Sequence, residues 1–165
     1  MKTPIFKAQT EWLPPEEFKD LSSYNEISID LETKDPELKL VGSGSITGKG
    51  QIVGIALAVE GWSGYYPIAH EGGGNMDKKK VMDYFRTILN YPSKKIFHNA
   101  MYDVCFIRAA GLKINGTIID TMIAGSLVDE NRFRYDLGSM GRDYVGKGKN
   151  EAVLAETAAI WGVDA

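Results

Sequence analysis

The chain has 165 residues, a length that fits one domain and allows a buried core without disulfides. Hydrophobic residues at 44% and charged residues at 25% are ordinary globular values, and the single cysteine, Cys105, excludes an intramolecular disulfide and points to a reducing, cytoplasmic-type compartment. No apolar run reaches the length of a membrane span, the opening "MKTPIFKAQTEWLPPEEF" lacks the apolar core of a signal peptide, and a net charge of −3 argues against coating nucleic acid through a broad basic surface.

Residues 1–24 are polar, carry Pro14 and Pro15, and read as an arm; residues 25–165 read as the domain proper. "EISIDLE" alternates, with Ile27, Ile29 and Leu31 on one face and Ser28, Asp30 and Glu32 on the other, so a strand is expected. "KDPELKLVGSGSITGKGQ" has the Gly and Ser content of a long flexible loop. "IVGIALAVE" and "GYYPIA" are two strands joined through "EGWSG" as an antiparallel hairpin, and "HEGGGN" is a second flexible loop. In "MDKKKVMDYFRTILN" the stripe Val81, Met82, Phe85, Ile88 and Leu89 marks an amphipathic helix with Asp77 in its first turn. "KKIFHN" is a short strand, and "AMYDVCFIRAAG" a helix closed by Gly111. "GTIID" is a further strand, followed by a helix "DTMIAGSLV" that Asp120 is placed to cap. "RYDLGSMGRDYVG" and "NEAVLAETAAIWG" are helical patterns that finish the chain. This order predicts an α/β domain: a mixed five-stranded sheet, with a three-strand antiparallel meander and later parallel strands reached through helical crossovers.

Asp30 and Glu32 are the residues that such a strand does not need for packing. Two residues apart on a strand, their side chains share a face. Two carboxylates that close repel, and one takes up a proton unless a cation neutralises the pair. Hard oxygen ligands of this kind suit Mg²⁺ or Mn²⁺. The plainer alternative is a pair of surface acids on an edge strand. Downstream, "IFHNAMYDVCFI" sets Asn99 just after a strand and Asp103 in the opening turn of the next helix. Sites in α/β sheets form at strand ends, where Asp103 would complete a three-carboxylate cluster. Taken singly, Asp103 fits an ordinary first-turn acid, Tyr102 a packed aromatic, and Asn99 a turn or cap residue.

Together, "DLET" and "HNAMYD" resemble the first two motifs of the DEDD 3′–5′ exonucleases: Asp-x-Glu on the first strand, then Asn and Phe/Tyr-Asp entering a helix. Within that group the chain is most similar to the proofreading domain of family A DNA polymerases, bacterial or phage. "GIALAVEGWSGYYPIAH" resembles that domain's hairpin, "IIDTMIAGSLV" its helix after the second motif, and "GKGKN" also has a counterpart, so the likeness runs from Ile27 to the C-terminus. The resemblance implies a ribonuclease H-like fold and hydrolysis of a single-stranded DNA 3′ end with two divalent ions, Mg²⁺ or Mn²⁺. It implies that Asp30, Glu32 and Asp103 are catalytic metal ligands. Leu31 and Thr33 would lie near the terminal nucleotide, Asn99 would hold the substrate strand or the carboxylate cluster in place, and Tyr102 would pack and orient the second motif. A polymerase domain, in the same or a separate chain, is the implied partner. Gripping a few nucleotides through ions needs no basic surface, and no membrane is involved.

The family's third motif, Tyr or His four residues before Asp, is not found downstream of Asp103. Tyr135 is followed at that distance by Ser139 and Tyr144 by Gly148, while Asp129, Asp136, Asp143 and Asp164 are preceded by Gly125, Arg132, Ser139 and Ile160. The expectation is a piece cut before the last helix of a polymerase's exonuclease domain, or a chain completed by a second polypeptide, with weak or no activity alone. An RNA-trimming exonuclease of the ribonuclease D type and a non-catalytic nucleic-acid or polymerase scaffold are the alternatives. "GSGSITGKG" lacks the Gly-Lys-Ser/Thr of a phosphate loop. His98 is read as a strand-end packing residue, His70 as structural or exposed, Cys105 as buried filler, and Trp12, Trp62 and Trp161 as packing residues.

Overall fold

The structure, a computed structural model, describes residues 13–71 and 74–148, together with Glu156, Ala159 and Ile160. The elements in chain order are β1 (Glu26–Lys34), α1 (Leu38–Val41), α2 (Gly44–Thr47), β2 (Gln51–Val59), β3 (Trp62–Pro67), α3 (Lys78–Asn90), β4 (Lys94–Phe97), α4 (Ala100–Ala109), β5 (Ile118–Asp120), α5 (Thr121–Val128) and α6 (Leu137–Val145). The chain divides into two compact units, Met1–Thr121 and Met122–Ala165.

The first unit holds the whole five-stranded sheet, in the order β3-β2-β1-β4-β5. β1 runs antiparallel to β2, which pairs antiparallel with β3, while β4 lies parallel to β1 and β5 parallel to β4. The mixed meander-plus-crossover sheet matches the pattern expected from the sequence. β1 is the central strand, so the edge-strand account of its carboxylates does not apply. Its alternation sends Ile27, Ile29 and Leu31 into the core and leaves Asp30 and Glu32 exposed. Val81, Phe85, Ile88 and Leu89 of α3 and Phe106 and Ile107 of α4 complete that core.

Several local expectations are revised. The later part of the expected arm packs down: Leu21 is fully buried, Phe18 stacks on Tyr66, and the Tyr84 hydroxyl donates to the Lys19 carbonyl at 2.7 Å. The glycine-rich stretch between β1 and β2 forms two single-turn helices instead of an irregular loop. Side-chain caps hold the second of them, α2, whereas α1 has none. Ser43 Oγ accepts from Ser45 N, and Asp35 Oδ2 accepts from Gly44 N at 2.9 Å. A Cβ on Gly44 would collide with the Gly50 backbone and the Asp35 carboxylate, and one on Gly50 would press on the Phe106 ring. Glycine here provides close approach to α4 as much as flexibility. Asp77 is the N-cap of α3 and not a first-turn residue; its carboxylate accepts from Lys80 N at 2.9 Å.

At the other end of α3 lies a side chain that the sequence pattern does not single out. Lys95 is entirely buried, and its ammonium donates to the carbonyls of Tyr91 (2.7 Å), Ser93 (2.9 Å) and Asn115 (3.1 Å) and to Ser93 Oγ (3.1 Å). Those acceptors replace the water that it loses; burial lowers its pKa.

In the second unit, Asp136 caps α6 by accepting from Ser139 N at 3.0 Å, and Gly146 closes the helix in the left-handed conformation. Arg132 pairs with Asp143 at 2.6 Å. The last expected helix lies outside the described residues apart from Glu156, Ala159 and Ile160, as do Trp12 and Trp161. Among the described residues no helix is long and apolar enough to cross a membrane.

Candidate active site

The site begins where β1 outruns β4. The parallel ladder between them extends only as far as Ser28 opposite Ile96. Beyond that point the first turn of α4 takes the place of a neighbouring strand. Asp103, 4% exposed, accepts a hydrogen bond from Leu31 N at 3.1 Å. A carboxylate from α4 is thus fixed to the β1 backbone between Asp30 and Glu32 in sequence. Burial, and then the negative charge of Asp30, pushes the Asp103 carboxyl up to about 7; the Leu31 N–H opposes this, and Asp120 adds a smaller upward contribution. Asp103 is thus brought beside Asp30, while Glu32 lies two residues further along the same exposed face of β1.

The fit to a divalent cation follows from the same facts. Near neutral pH a buried carboxyl in the field of Asp30 is half-driven to its neutral form, and a cation would restore its charge. The donors are all hard oxygens, as Mg²⁺ and Mn²⁺ prefer. Among the described residues, no three His, Cys, Asp or Glu side chains stand close enough to hold an ion by themselves. The arrangement suits the open type of site, in which one or two carboxylates bind an ion and substrate phosphate supplies further oxygens, better than a closed protein cage.

Asn99 sits at the N-cap of α4 in the left-handed region (φ 64°, ψ 53°), a conformation that Asn tolerates better than most residues. Its side chain makes no capping bond and is exposed at the mouth of the site. The cap comes from a residue of another strand. Asp120 accepts from Asn99 N at 3.1 Å and from Ala100 N at 2.8 Å. Sequence reasoning assigned Asp120 to the helix that follows it. The parallel pairing of Phe97 with Asp120 brings it also to the start of α4, where its charge meets the helix dipole.

A β-bulge between Glu32 and Thr33 shifts the register where β1 leaves the carboxylates. Thr33 Oγ1 lies 2.9 Å from the Tyr102 hydroxyl, which donates to Asp35 Oδ2 at 3.2 Å. With the phenol proton given to Asp35, the Thr33 hydroxyl is the donor to the phenol oxygen. The Tyr102 ring packs on Phe106, and burial raises its phenol pKa. Asp35 was not foreseen as part of the site. It joins Tyr102 to Gly44 of α2, and its buried Oδ1 has no hydrogen-bond partner among the described residues. Leu31, expected beside the terminal nucleotide, turns its side chain into the core at 7% exposure; what it offers the site is its N–H.

His98 behaves as a strand-end residue. Thr121 Oγ1 donates to the Phe97 carbonyl at 3.1 Å, so His98 Nδ1, 2.9 Å from Thr121 Oγ1, is the donor to that hydroxyl. Cys105 is half-buried, and Trp62 packs against the core with the Lys19 ammonium 5.5 Å from its ring. His70 is half-buried, in keeping with a structural role. Its Nε2 is hydrogen-bonded to the hydroxyl of Tyr65, a residue whose phenol is pushed up to about 12 by burial and then by Glu32 and Asp30.

The mixed sheet, with an acid pair on its central strand and Asp103 of α4 beside it, has the ribonuclease H-like fold. The family described as 3′–5′ exonuclease matches residues 6–161. This chain therefore belongs to the 3′–5′ exonuclease family of the A-type DNA polymerases. The DNA-directed DNA polymerase of Pseudomonas phage M6 is 31% identical over 173 aligned residues, covering 99% of this chain and 26% of that protein. The DNA polymerase DpoZ of Acinetobacter phage SH-Ab 15497 is 25% identical over 147 residues, covering 88% of this chain and 21% of that protein. The chain thus spans about a quarter of the length of the curated relatives it matches. Among solved structures, Brucella melitensis NrnC with bound Mg²⁺ superposes with a TM-score of 0.57 at 16% identity, covering 81% of this chain and 59% of that one, a likeness of fold.

Proposed function

We propose that this chain is the proofreading part of a phage-type DNA polymerase and hydrolyses the last phosphodiester at the 3′ end of single-stranded DNA. The observation that carries this reading is the buried Asp103 carboxylate, bound to the β1 backbone and electrostatically coupled to Asp30. Polymerases among the relatives support DNA over RNA, and a polymerase domain, in the same chain or another, as the partner. The working compartment is the bacterial or phage-infected host cytoplasm, in keeping with the lone cysteine.

Asp30, Glu32 and Asp103 would hold two divalent ions, Mg²⁺ or Mn²⁺. When bound, these ions would lower the pKa of a water and neutralise the charge on the scissile phosphate. The chain's own residues do the rest. Glu32 and Asp30 face solvent, where a phosphate can reach them, while Leu31 N–H fixes Asp103 behind them. The exposed Asn99 side chain is free to hold the terminal nucleotide. Thr33, tethered to Tyr102, borders the same face. Because the third motif is not found in the sequence, weak or no turnover is expected of this chain alone.

Incubation with 5′-labelled single-stranded DNA and Mn²⁺ tests the reading. The expected result is a slow ladder shortening from the 3′ end, abolished by EDTA and by Asp30→Ala. Trimming that survives either control overturns it.

A further inference from the structure

We propose that Tyr65 and His70 form a positioning pair for the Glu32 carboxylate, with the Tyr65 phenol as the contact and His70 holding that phenol in place. This rests on the reading of Glu32 as a metal ligand and adds a residue pair that lies outside the motif residues.

Register supplies the first part of the argument. Asp30 pairs with Ala56, which pairs with Tyr65, so the three share one face of the sheet. Glu32 pairs with Gly54, which pairs with Pro67, one pleat further along that face. Tyr65 is therefore diagonal to Gly54, within reach of a long aromatic side chain. A Cβ added to Gly54 would overlap the Tyr65 hydroxyl. The phenol consequently lies over the one position beside Glu32 that has no side chain. A glycine in the middle of a β-strand costs stability, and a close approach of this kind is what commonly requires it.

The second part is the support behind the phenol. His70 Nε2 hydrogen-bonds to the Tyr65 hydroxyl, with the two rings edge-on at 61°. Asn75 fixes the His70 peptide from both sides, accepting from His70 N at 2.7 Å and donating to His70 O at 2.7 Å. In the tautomer that serves the pair, Nε2–H donates to the phenol oxygen and leaves the phenol O–H for the carboxylate. Hydrogen-bonding partners of metal-ligating carboxylates orient their ligands in this way, and removing one typically weakens metal binding about tenfold or more.

Calorimetric titration of the purified chain with Mn²⁺ alone tests this, with thermal melts as a check on folding. Tyr65→Phe is expected to weaken Mn²⁺ binding about tenfold while leaving the melting temperature close to that of the parent. His70→Leu should weaken it in the same direction, His70→Gln should recover most of the loss, and the double variant should be no worse than Tyr65→Phe alone, because His70 acts through Tyr65. Gly54→Ala, which displaces the phenol without removing it, should reproduce the Tyr65→Phe loss. If the parent binds Mn²⁺ and Tyr65→Phe binds it equally well, or if the losses of the two single variants add, the pair has no positioning role, and the exonuclease reading stands. If the parent itself binds no Mn²⁺, or Asp30→Ala leaves binding unchanged, the metal-site reading fails and this inference with it.

Discussion

The Asp103 carboxylate accepts a hydrogen bond from the Leu31 backbone N–H at 3.1 Å, across 72 residues of sequence. That bond ties the first turn of α4 to the central strand at the point where β4 ends. It also places a buried carboxyl, with its pKa raised from 3.8 to about 7, in the field of Asp30.

The first prediction follows from that shift. A carboxyl whose folded-state pKa lies above its unfolded value contributes stability that is fully present below the unfolded pKa and is lost as pH rises through the folded one. For Asp103 the window runs from 3.8 to about 7. Without divalent cations, the chain should lose stability as the pH rises through this window, and Mn²⁺ should restore it at the upper end. Asp103→Asn should flatten the profile there. Asp136, held down to about 2 by its bonds to Ser139, acts in the opposite sense and below this window, so the two groups separate. Urea melts at pH 4, 5.5 and 7.5 would show the trend; a profile for Asp103→Asn parallel to that of the parent would count against it.

Much of the site was legible because its signals are local. Alternation over residues 26–32 sets the strand and exposes Asp30 and Glu32, and the spacing after β4 puts Asp103 in the first turn of a helix. What was not legible depends on pairing between distant segments. Asp120 meets α4 only because β5 lies parallel beside β4. Tyr65 meets the carboxylate face only through the register of three strands. Asp35 matters because the segment after it folds back onto α4, where glycine content alone suggested an irregular loop. The glycines at 44, 50 and 54 did carry a signal, since each marks a close approach, but the sequence does not say to what.

Asp120 provides the second prediction. Its carboxylate serves the N–H groups of Asn99 and Ala100, and thereby holds the turn that carries Asp103. Asp120→Ala should cost about 1–2 kcal/mol, the usual loss on removing an N-cap. Asp120→Asn, which keeps an acceptor oxygen, should cost less. Mn²⁺ affinity should fall in step with the Asp103 geometry in the alanine variant. Equal stability of Asp120→Ala and the parent in chemical denaturation would show that the cap is dispensable.

Lys95 is a test of stability separate from chemistry. Its ammonium satisfies three carbonyls, that of Ser93 buried and those of Tyr91 and Asn115 part-buried, and the Ser93 hydroxyl, near the end of α3. Lys95→Met keeps the volume and leaves those acceptors unmet, at a cost of about 3 kcal/mol. Mn²⁺ binding by the folded fraction should be unaffected, because none of the carboxylates is among its partners. A melting temperature unchanged from the parent would show that water or relaxation supplies the missing donors.

Tyr102 allows the sharpest contrast, because the same substitution at two tyrosines should have separable outcomes. Its hydroxyl joins Thr33 to Asp35, so Tyr102→Phe leaves Asp35 with Gly44 N as its remaining donor among those described. The expected loss is about 1 kcal/mol of stability, that of a hydrogen bond within a part-buried network. Thr33 would also be untethered, raising KM for single-stranded DNA with little change in Mn²⁺ affinity. Tyr65→Phe, in contrast, should weaken Mn²⁺ binding with little change in stability. Both substitutions remove one phenol hydroxyl, and they differ in what that hydroxyl holds. If Tyr102→Phe weakened Mn²⁺ binding as much as Tyr65→Phe does, the two phenols would be acting on the carboxylates alike, and the division between a substrate-side tether and a ligand-side one would not hold.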